Sequence, residues 1–360
     1  MTTIYRAPGR VNLIGEHTDY NLGFVLPIAL DLATFVTRGN ADDGHLTVHS
    51  EAHGETWDWP LKTLPGLGRQ GHWTDYVIGV AQQLLKRGIQ IAPQNLSIHS
   101  TVPEGAGLSS SAALEVSIAL ALLDGHAVEK LELAKLCQSA ERDFVGMPAG
   151  IMDQYISVFG ESHAAAKIDC RSLTHELVRL PENVSIIAVN SMVKHELGVS
   201  AYRIRVEECA MAADALNVAS LRDATIAQLE STPMPAVVMR RARHIVTENA
   251  RVQLFVNAAA RTDLDRMGQL FYESHVSMQH DYEITCEEVD FLVQSAKGID
   301  GVYGARMTGG GFGGCTVNLV RPDTVARFSA QIRGLYEERY KITPAVIHCV
   351  PSTGAGAQTD

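Results

Sequence analysis

The amino-acid sequence predicts an α+β protein built from two domains. Predicted strands and predicted helices occur in separate runs rather than in strict alternation, which is typical of that class. The chain has 360 residues, and about 150 residues per domain favours two domains. Residues of the types AVILMFWYC make up 46% of the chain. This is enough apolar material for a sizeable core and excludes an intrinsically disordered protein.

The first hundred residues have the pattern of short strands separated by turns. Ala33–Thr37 and Leu46–His49 are β-branched or alternating, and the run Asp42-Asp43-Gly44 between them is a turn signal. Leu96–Val102 alternates apolar with polar side chains and predicts a further strand.

Longer helical patterns follow these strands. Ser110–Leu123 predicts one helix, and a second spans roughly Leu131–Phe144. From Tyr202 to Lys297 the sequence is mostly helical, with Pro233 and Pro235 as the main interruption.

The strongly apolar strand Val184–Val189 marks the start of the second domain. A boundary just before it, near Leu180-Pro181, predicts an N-terminal domain of residues 1–180 and a C-terminal domain of residues 181–360. Gly298–Val320 returns to glycines and a strand, and residues 350–356 are predicted to fray.

Charge and cysteine usage narrow the class of protein. The formal net charge is −11, which argues against a nucleic-acid binder with a general basic surface. This net charge does not exclude an anionic substrate, because a local pocket can bind one within an acidic protein. The six cysteines form no C-x-x-C pair, which excludes zinc-ribbon and thioredoxin motifs. Their wide spacing suits reduced thiols in a cytosol.

Targeting and membrane signals point to the cytoplasm. The first six residues contain no apolar signal-peptide core, and the longest apolar stretch, Ala112–Leu123, is too short to cross a bilayer. We therefore expect a cytoplasmic protein with no membrane or nucleic-acid partner.

The first of three chemistry-bearing segments is Pro103–Glu115, where a strand ends, glycines turn the chain and serines open a helix. Free backbone N–H groups and the positive end of the helix dipole favour an anion there. Glycines allow close approach to a phosphate, and the three serines at 109–111 offer donors and Mg²⁺ ligands. A helix-capping serine after a flexible turn is the alternative. The segment is not a G-x-x-x-x-G-K-[ST] loop.

The second segment, Thr308–Cys315, carries five glycines in six positions. It contains G-x-G-x-x-G, yet Cys315–Val320 alternates like a strand where a dinucleotide site requires a helix. Two explanations stay open: the backbone passes close to a ligand, or it packs against another backbone.

The third segment, Ala7–Asn21, crowds Arg10, Glu16, His17 and Asp19 between glycines. These donors and acceptors suit sugar hydroxyls, and a charged surface turn is the alternative. A zinc site is not indicated, since H-E-x-x-H is absent.

One carboxylate stands out beyond these segments. Asp153 lies beside Ile151 and Met152, and a carboxylate in apolar surroundings is costly unless it is paired. A catalytic role or a structural ion pair would each explain it. Glu141, on a predicted helix, is indistinguishable from a solvated glutamate.

With these residues in view, the sequence resembles the GHMP small-molecule kinases, and within them the branch that phosphorylates galactose. Gly9–Asn21 is similar to the sugar signature of that branch, Val102–Ala113 to the family's phosphate-binding motif, and Gly304–Cys315 to its third motif. Arg241–Arg251 and Glu273–Asp290 resemble family helices, so the resemblance covers nearly the whole chain.

The resemblance implies a two-domain fold with the active site in the cleft between the domains. It implies transfer of the γ-phosphoryl group of ATP, with Mg²⁺, to the anomeric hydroxyl of α-D-galactose. The products would be galactose 1-phosphate and ADP, in the first committed step of galactose catabolism by the Leloir pathway. The implied partners are these small molecules, with no obligate protein partner.

The resemblance also assigns roles by position. Asp153 would be the catalytic base, assisted by Arg10, and the Mg²⁺ ligands would be Ser111 and Glu141. The sugar-binding positions would be Glu16, His17, Thr18, Asp19, Gly150, Asp153 and Tyr202. The phosphate-binding positions would be Gly105, Ala106, Gly107, Leu108, Ser109, Ser110 and Ser111. Aromatic rings near the adenine would be Trp73 and Tyr76, which could equally be core residues.

Some positions depart from the family pattern, among them Leu22, Ala149, Ala201 and Arg203. The last two flank Tyr202 and bear on sugar selectivity. Two alternatives therefore stay open: a GHMP kinase for another sugar such as N-acetylgalactosamine, and a non-catalytic galactose and ATP sensor. Loss of any of Asp153, Arg10, Ser111 or Glu141 would favour the sensor, and all four are present.

Overall fold

A computed structural model describes residues 3–194 and 198–358. The strands are β1 (Thr3–Asn12), β2 (Phe24–Val25), β3 (Pro27–Asn40), β4 (His45–Ser50), β5 (Glu55–Pro60), β6 (Gln94–Ser100), β7 (Ala164–Asp169), β8 (Thr174–Arg179), β9 (Ser185–Lys194), β10 (Val302–Thr308), β11 (Gly313–Val320), β12 (Ala345–Cys349) and β13 (Gly356–Gln358). The helices are α1 (Thr74–Lys86), α2 (Ser110–Leu123), α3 (Lys130–Ser139), α4 (Met152–Phe159), α5 (Gly198–Leu216), α6 (Ile226–Ser231), α7 (Ala236–Ala260), α8 (Leu264–Ser277), α9 (Glu287–Lys297) and α10 (Val325–Tyr340).

A six-stranded sheet dominates the N-terminal half, in the order β13-β1-β3-β6-β4-β5. All neighbouring strands are antiparallel except the parallel pair β4 and β6. The alternation predicted for Leu46–His49 and Leu96–Val102 is confirmed. Leu46 and Val48 are fully buried while their neighbours face outward, because successive strand side chains point to opposite faces.

Two smaller sheets complete the strands. An antiparallel four-stranded sheet has the order β10-β11-β9-β12, and a three-stranded sheet has the order β2-β7-β8. The predicted strand Val184–Val189 corresponds to β9. β9 and β11 are the two central strands of the four-stranded sheet. Every residue of β11 and the apolar run Ile186–Val189 of β9 are buried, so both faces of these strands are covered, which explains the apolar run in β9.

Helix α2 confirms the prediction for Ser110–Leu123, and most of its side chains are buried. The second predicted helix, Leu131–Phe144, is observed differently. Regular helix α3 ends at Ser139, and residues 140–145 form a π-helical turn that stops at Gly146 with a φ of +81°. Such turns occur often at functional sites, and this one carries Glu141.

The prediction that residues 350–356 fray is wrong. Pro351 bridges Leu30, Gly354 donates its N–H to the carbonyl of Gly160 at 2.7 Å, and β13 pairs with β1. A Cβ atom on Gly354 would overlap the Val158 carbonyl. This glycine therefore lets two backbones approach closely enough to anchor the segment.

The α+β class is confirmed, and helices α5–α9 occupy the predicted helical region, with both prolines between α6 and α7. The division at residues 180 and 181 stays a prediction. A shared core joins the two halves, with Val11 and Leu13 packing with Phe255, Phe271 and Val317. Within the described residues, no helix is long and apolar enough to cross a membrane.

Candidate active site

The loop between β6 and α2, called the phosphate loop here after the family motif that it resembles, turns on three residues with left-handed backbone. Gly105 and Gly107 have φ of +70° and +74°, and Ser109 has a φ of +57° at the start of α2. These left-handed residues turn the chain into the first turn of the helix, where Ser110 and Ser111 lie. The backbone N–H groups of that turn lack intrahelical partners, so the geometry favours a bound anion.

The second glycine-rich segment packs directly on this loop. A Cβ atom on Gly309 would lie 3.0 Å from the Gly107 carbonyl oxygen, and one on Gly314 would lie 3.3 Å from that of Ala106. On its other side, a Cβ on Gly311 would lie 2.7 Å from the Ile284 carbonyl oxygen. Of the two open explanations, backbone packing against backbone therefore accounts for these glycines. Strand β11 follows, which agrees with rejecting a dinucleotide site.

Arg10 and Asp153 meet below the loop. The Arg10 Nε and Nη2 atoms donate to Asp153 Oδ1 and Oδ2, both at 2.8 Å, in a bidentate pair. Arg10 Nη1 donates to the Gly107 carbonyl at 2.5 Å, and Ser109 Oγ donates to Asp153 Oδ2. The pair therefore connects strand β1, the phosphate loop and the first turn of α4, and fixes their positions relative to one another.

Asp19 and Gly150 form the next wall of the site. A Cβ atom on Gly150 would overlap the Asp19 carboxylate, so glycine alone leaves the room that Asp19 occupies. Burial and the nearby charge of Asp153 raise the pKa of Asp19 to about 7. The carboxylates of Asp19 and Asp153 therefore lie close together in the site.

Glu141 is 6% exposed and lies close enough to Asp153 for the two charges to interact. Its Oε2 accepts a hydrogen bond from Gln154 Nε2 at 2.8 Å, and its Oε1 accepts one from Ser111 Oγ at 3.3 Å. Burial, followed by the charge of Asp153, raises the pKa of Glu141 to about 7. A cation would relieve this accumulation of negative charge. A carboxylate and a hydroxyl, completed by water and phosphate oxygens, are a donor set that suits Mg²⁺.

Comparison with known proteins identifies the family. Two regions match the GHMP kinase N-terminal and C-terminal domain models, at residues 75–161 and 255–338, and residues 2–38 match the galactokinase galactose-binding signature. The chain is 42% identical to a galactokinase of Thermotoga neapolitana over 340 residues, which covers 94% of this chain and 95% of that protein. It is 41% identical to a galactokinase of Roseiflexus, covering 99% and 93% of the two chains.

The structural comparison agrees. The crystal structure of Lactococcus lactis galactokinase complexed with galactose superposes with a TM-score of 0.94 at 32% identity, covering 99% of this chain and 95% of that one. The chain belongs to the galactokinase family. The GHMP kinase fold implied by the sequence is thereby confirmed.

Within this galactokinase-family site, Glu16 is held by the protein itself. It is 1% exposed, and its Oε1 accepts from Thr308 Oγ1 and from the Gly309 N–H. Its Oε2 accepts from Asn12 Nδ2 and pairs with Arg306 Nη2 at 2.5 Å. Since each carboxylate oxygen has about two acceptor sites, all of them have protein partners here. Direct contact of Glu16 with a sugar stays a prediction.

The next two residues of the galactokinase signature have different surroundings. Thr18 is fully buried, and its hydroxyl lies 2.8 Å from the Gly15 carbonyl oxygen and 2.6 Å from that of Phe24, so it shapes the loop. The His17 ring lies beside that of Tyr202, with centroids 4.9 Å apart. The structure therefore places His17 beside Tyr202. The Thr18 hydroxyl, by contrast, points at backbone carbonyl groups of its own loop.

Trp73 and Tyr76 line a cavity of about 250 Å³ that opens onto Gly105, Ser110 and Ser111. The Trp73 indole donates to Glu55 Oε2 at 3.0 Å, and its ring stacks on His53 with centroids 5.3 Å apart. Both side chains therefore share one cavity with the loop between β6 and α2, and contact of either ring with a nucleotide base stays a prediction.

Sequence reasoning missed the charged residues that support the galactokinase signature. Arg306 is fully buried and donates to the Leu13 carbonyl at 2.7 Å, besides its pair with Glu16. Glu248 on α7 accepts the Gly15 N–H at 3.0 Å, and its pKa is lowered to about 2, against the effect of burial, by Arg251 and then by Arg306. An arginine within the apolar strand β10 was the available signal, since a buried charge requires a partner.

Proposed function

We propose that this chain transfers the γ-phosphoryl group of ATP to the anomeric hydroxyl of α-D-galactose, giving galactose 1-phosphate and ADP. The observation that carries the proposal is the bidentate pair of Arg10 with Asp153, 2.8 Å for each bond, next to the anion-binding turn. A base fixed beside a phosphate site is the minimum that phosphoryl transfer to a hydroxyl requires. The choice of sugar and of reaction follows from the galactokinases among its relatives.

The two oxygens of Asp153 have different surroundings. Oδ2 accepts bonds from Arg10 Nη2 and Ser109 Oγ, whereas Oδ1 accepts one bond, from Arg10 Nε. Oδ1 therefore keeps an open acceptor site. We assign it the proton of the anomeric hydroxyl, whose oxygen forms the new bond to phosphorus while the bond to the ADP oxygen breaks. The Arg10 guanidinium holds the carboxylate and offsets charge near the transferred group.

The sugar would lie among Asp19, Asp153, His17 and Tyr202. Carboxylates accept hydrogen bonds from sugar hydroxyls, and the Tyr202 ring offers an apolar face beside His17. Gly150 would take part by leaving Asp19 its position. Glu16 and Thr18 would shape this pocket through the protein contacts described above.

The nucleotide would lie along the phosphate loop. Its phosphates would bind the turn from Gly105 to Ser111, and its base would lie against Trp73 and Tyr76. Ser111 and Glu141 would hold Mg²⁺, which when bound neutralises charge on the phosphate oxygens. In the described ranges, no cluster of three or more His, Cys, Asp or Glu side chains is suited to a metal, so phosphate oxygens and water would have to complete the coordination by Ser111 and Glu141.

The cellular setting proposed here is the cytoplasm. All six cysteines are free, and five of them are buried, which suits a reducing compartment. The partners proposed are the two small-molecule substrates.

A coupled ADP-release assay with Mg-ATP tests the proposal. The panel is galactose, N-acetylgalactosamine, glucose, mannose and arabinose. Turnover that depends on galactose and exceeds that with the other sugars is the expected result. Faster turnover with N-acetylgalactosamine than with galactose would indicate a kinase for that sugar instead. A protein that binds galactose and ATP but releases no ADP with any sugar would be a sensor.

A further inference from the structure

The Gln154 side chain lies between two buried acidic side chains. Its Nε2 atom donates to Glu115 Oε2 and to Glu141 Oε2, both at 2.8 Å. Gln154 and Glu115 are fully buried, and Glu141 is nearly so. Because an amide nitrogen carries two protons, it can donate one to each of these oxygens. The amide therefore connects Glu115 of helix α2 to Glu141 of the π-helical turn.

Stability alone does not explain these two polar residues. Among the described residues, neither Gln154 Oε1 nor Glu115 Oε1 has a hydrogen-bond partner, although both atoms are buried. A buried polar atom without a partner is unfavourable for folding, whereas apolar side chains of the same shape would leave none. What the arrangement does achieve is a fixed position for Glu141 Oε2.

The two oxygens of Glu141 have different surroundings. Oε2 is held by Gln154, whereas Oε1 lies 3.3 Å from Ser111 Oγ. This contact is long, because hydrogen bonds between two oxygen atoms usually measure about 2.5–3.0 Å. Two oxygens bound at right angles to one Mg²⁺ ion, each about 2.1 Å from it, lie roughly 3 Å apart. The spacing of the Ser111 and Glu141 oxygens therefore suits two neighbouring ligands of one cation.

Helix α4 links this arrangement to the proposed base. Asp153 and Gln154 are consecutive residues in the first turn of α4. Their side chains diverge by about 100°, as neighbours in a helix do, so Asp153 reaches Arg10 while Gln154 reaches Glu141. One turn of helix thus determines where the Asp153 and Glu141 carboxylates lie relative to each other.

We propose that Gln154, anchored by Glu115, is a positioning residue that holds Glu141 Oε2 and so directs Oε1, together with Ser111 Oγ, toward Mg²⁺. The metal contact rests on the proposed function. Glu141 would then bind the ion through one oxygen, which leaves the other coordination positions to phosphate oxygens and water. Without the amide the carboxylate can rotate, and affinity for the metal falls because binding must also fix its orientation.

Calorimetric binding of the non-hydrolysable analogue β,γ-imido-ATP to the full chain tests the proposal without turnover. The ratio of its affinity with Mg²⁺ to its affinity in EDTA is called the Mg²⁺ enhancement here. Gln154→Met keeps the length of the side chain and removes the donor. It should lower the Mg²⁺ enhancement about tenfold, while the affinity in EDTA changes less than about twofold. An unchanged enhancement, or equal losses of affinity with Mg²⁺ and in EDTA, would overturn the role.

Two substitutions of Glu115 test the anchor. Glu115→Met removes the acceptor for Gln154 and should lower the Mg²⁺ enhancement about threefold, the effect of one weak hydrogen bond. The loss is smaller than in Gln154→Met because Gln154 still reaches Glu141. Glu115→Gln keeps an oxygen acceptor on a side chain of the same shape, so it should recover most of that loss. Equal reductions in the two Glu115 variants would overturn the anchoring role.

Gln94→Met is the matched control. Gln94, at the start of β6, is also fully buried, and its Oε1 accepts from Arg38 Nε at 3.1 Å. It should leave the Mg²⁺ enhancement unchanged, and a loss equal to that in Gln154→Met would overturn the proposal. A wild-type protein without any Mg²⁺ enhancement would refute the metal ligands and this role. One that shows the enhancement but phosphorylates no galactose would refute the proposed function alone.

Discussion

The Asp19 carboxylate occupies the space that a Cβ atom on Gly150 would need. Gly150→Ala must therefore displace Asp19 or the loop that carries Gly150. If Asp19 binds sugar hydroxyls, we expect kcat/KM for galactose to fall by roughly a hundredfold, the effect of losing about two hydrogen bonds to a charged group. The KM for ATP should change little, and steady-state kinetics measure both.

Gly334→Ala provides the control for this substitution. Gly334 lies in helix α10, and a Cβ atom there would meet nothing within 4 Å. It should leave the kinetics unchanged and raise the free energy of unfolding by about 0.5–1 kcal/mol. Wild-type galactose kinetics in Gly150→Ala would show that Asp19 does not bind the sugar.

Glu141 is predicted to destabilise the free protein at neutral pH. Its pKa is raised from 4.5 to about 7 by burial and by Asp153, so between these values the folded state holds more protons than the unfolded state. The free energy of unfolding therefore falls as pH rises from 4.5 to 7. Glu141→Gln should remove this loss and stabilise the protein at pH 8 by about 3 kcal/mol, with a smaller gain at pH 5.5.

Urea denaturation without Mg²⁺ or ATP measures this effect. Glu132→Gln, on the exposed face of helix α3, is the control and should change stability by less than about 0.5 kcal/mol. In the activity assay, Glu141→Gln should raise the Mg²⁺ concentration for half-maximal rate at least tenfold. A destabilised Glu141→Gln protein with wild-type Mg²⁺ dependence would contradict both roles.

Trp73 and Trp57 offer a matched test of the nucleotide site. Both indoles donate to Glu55 Oε2, at 3.0 and 3.1 Å, but Trp73 also lines the cavity beside the phosphate loop. Trp73→Leu should raise the KM for ATP about tenfold, a typical contribution of one aromatic ring stacked on a base. Trp57→Leu should leave it near the wild-type value. Equal increases in the KM for ATP in the two variants would contradict the assignment of Trp73 to the nucleotide site.

Arg306 is predicted to stabilise the fold by pairing with two buried carboxylates beneath the site. Its removal in Arg306→Met leaves Glu16 and Glu248 buried with fewer partners, so the free energy of unfolding should fall by about 3–5 kcal/mol. Arg333→Met, at an exposed position of helix α10, should cost less than about 0.5 kcal/mol. Denaturant titration measures both, and a loss below 1 kcal/mol for Arg306→Met would contradict the assignment.

Local patterns in the sequence were sufficient to predict most elements and the three glycine-bearing segments. Alternation predicted β4 and β6, and the apolar run predicted α2, because those signals depend on neighbouring residues alone. The prediction that residues 350–356 fray depends on their place at the end of the chain, whereas their pairing partner, β1, lies at the other end. Pairing over such a distance leaves no local periodicity.

The same distinction applies to the site. Arg10, Asp19 and Asp153 are prominent in the sequence because charged residues interrupt glycine-rich or apolar segments. Arg306, Glu248 and Tyr282 come from β10, α7 and the turn after α8, and only the tertiary fold brings them to Glu16 and His17. The roles of the glycines at 309, 311 and 314 could be decided only when the opposing backbones were known.

The most direct test of the central claim is a single-turnover measurement with Asp153→Asn, using Mg-ATP and galactose. The substitution keeps the shape of the side chain and removes the proton acceptor, so the rate should fall by at least a thousandfold while calorimetry still detects galactose binding. Asp265→Asn, in the exposed first turn of helix α8, is the control and should keep the wild-type rate. Phosphorylation of galactose by Asp153→Asn at near wild-type rate would contradict the assignment of Asp153 as the base.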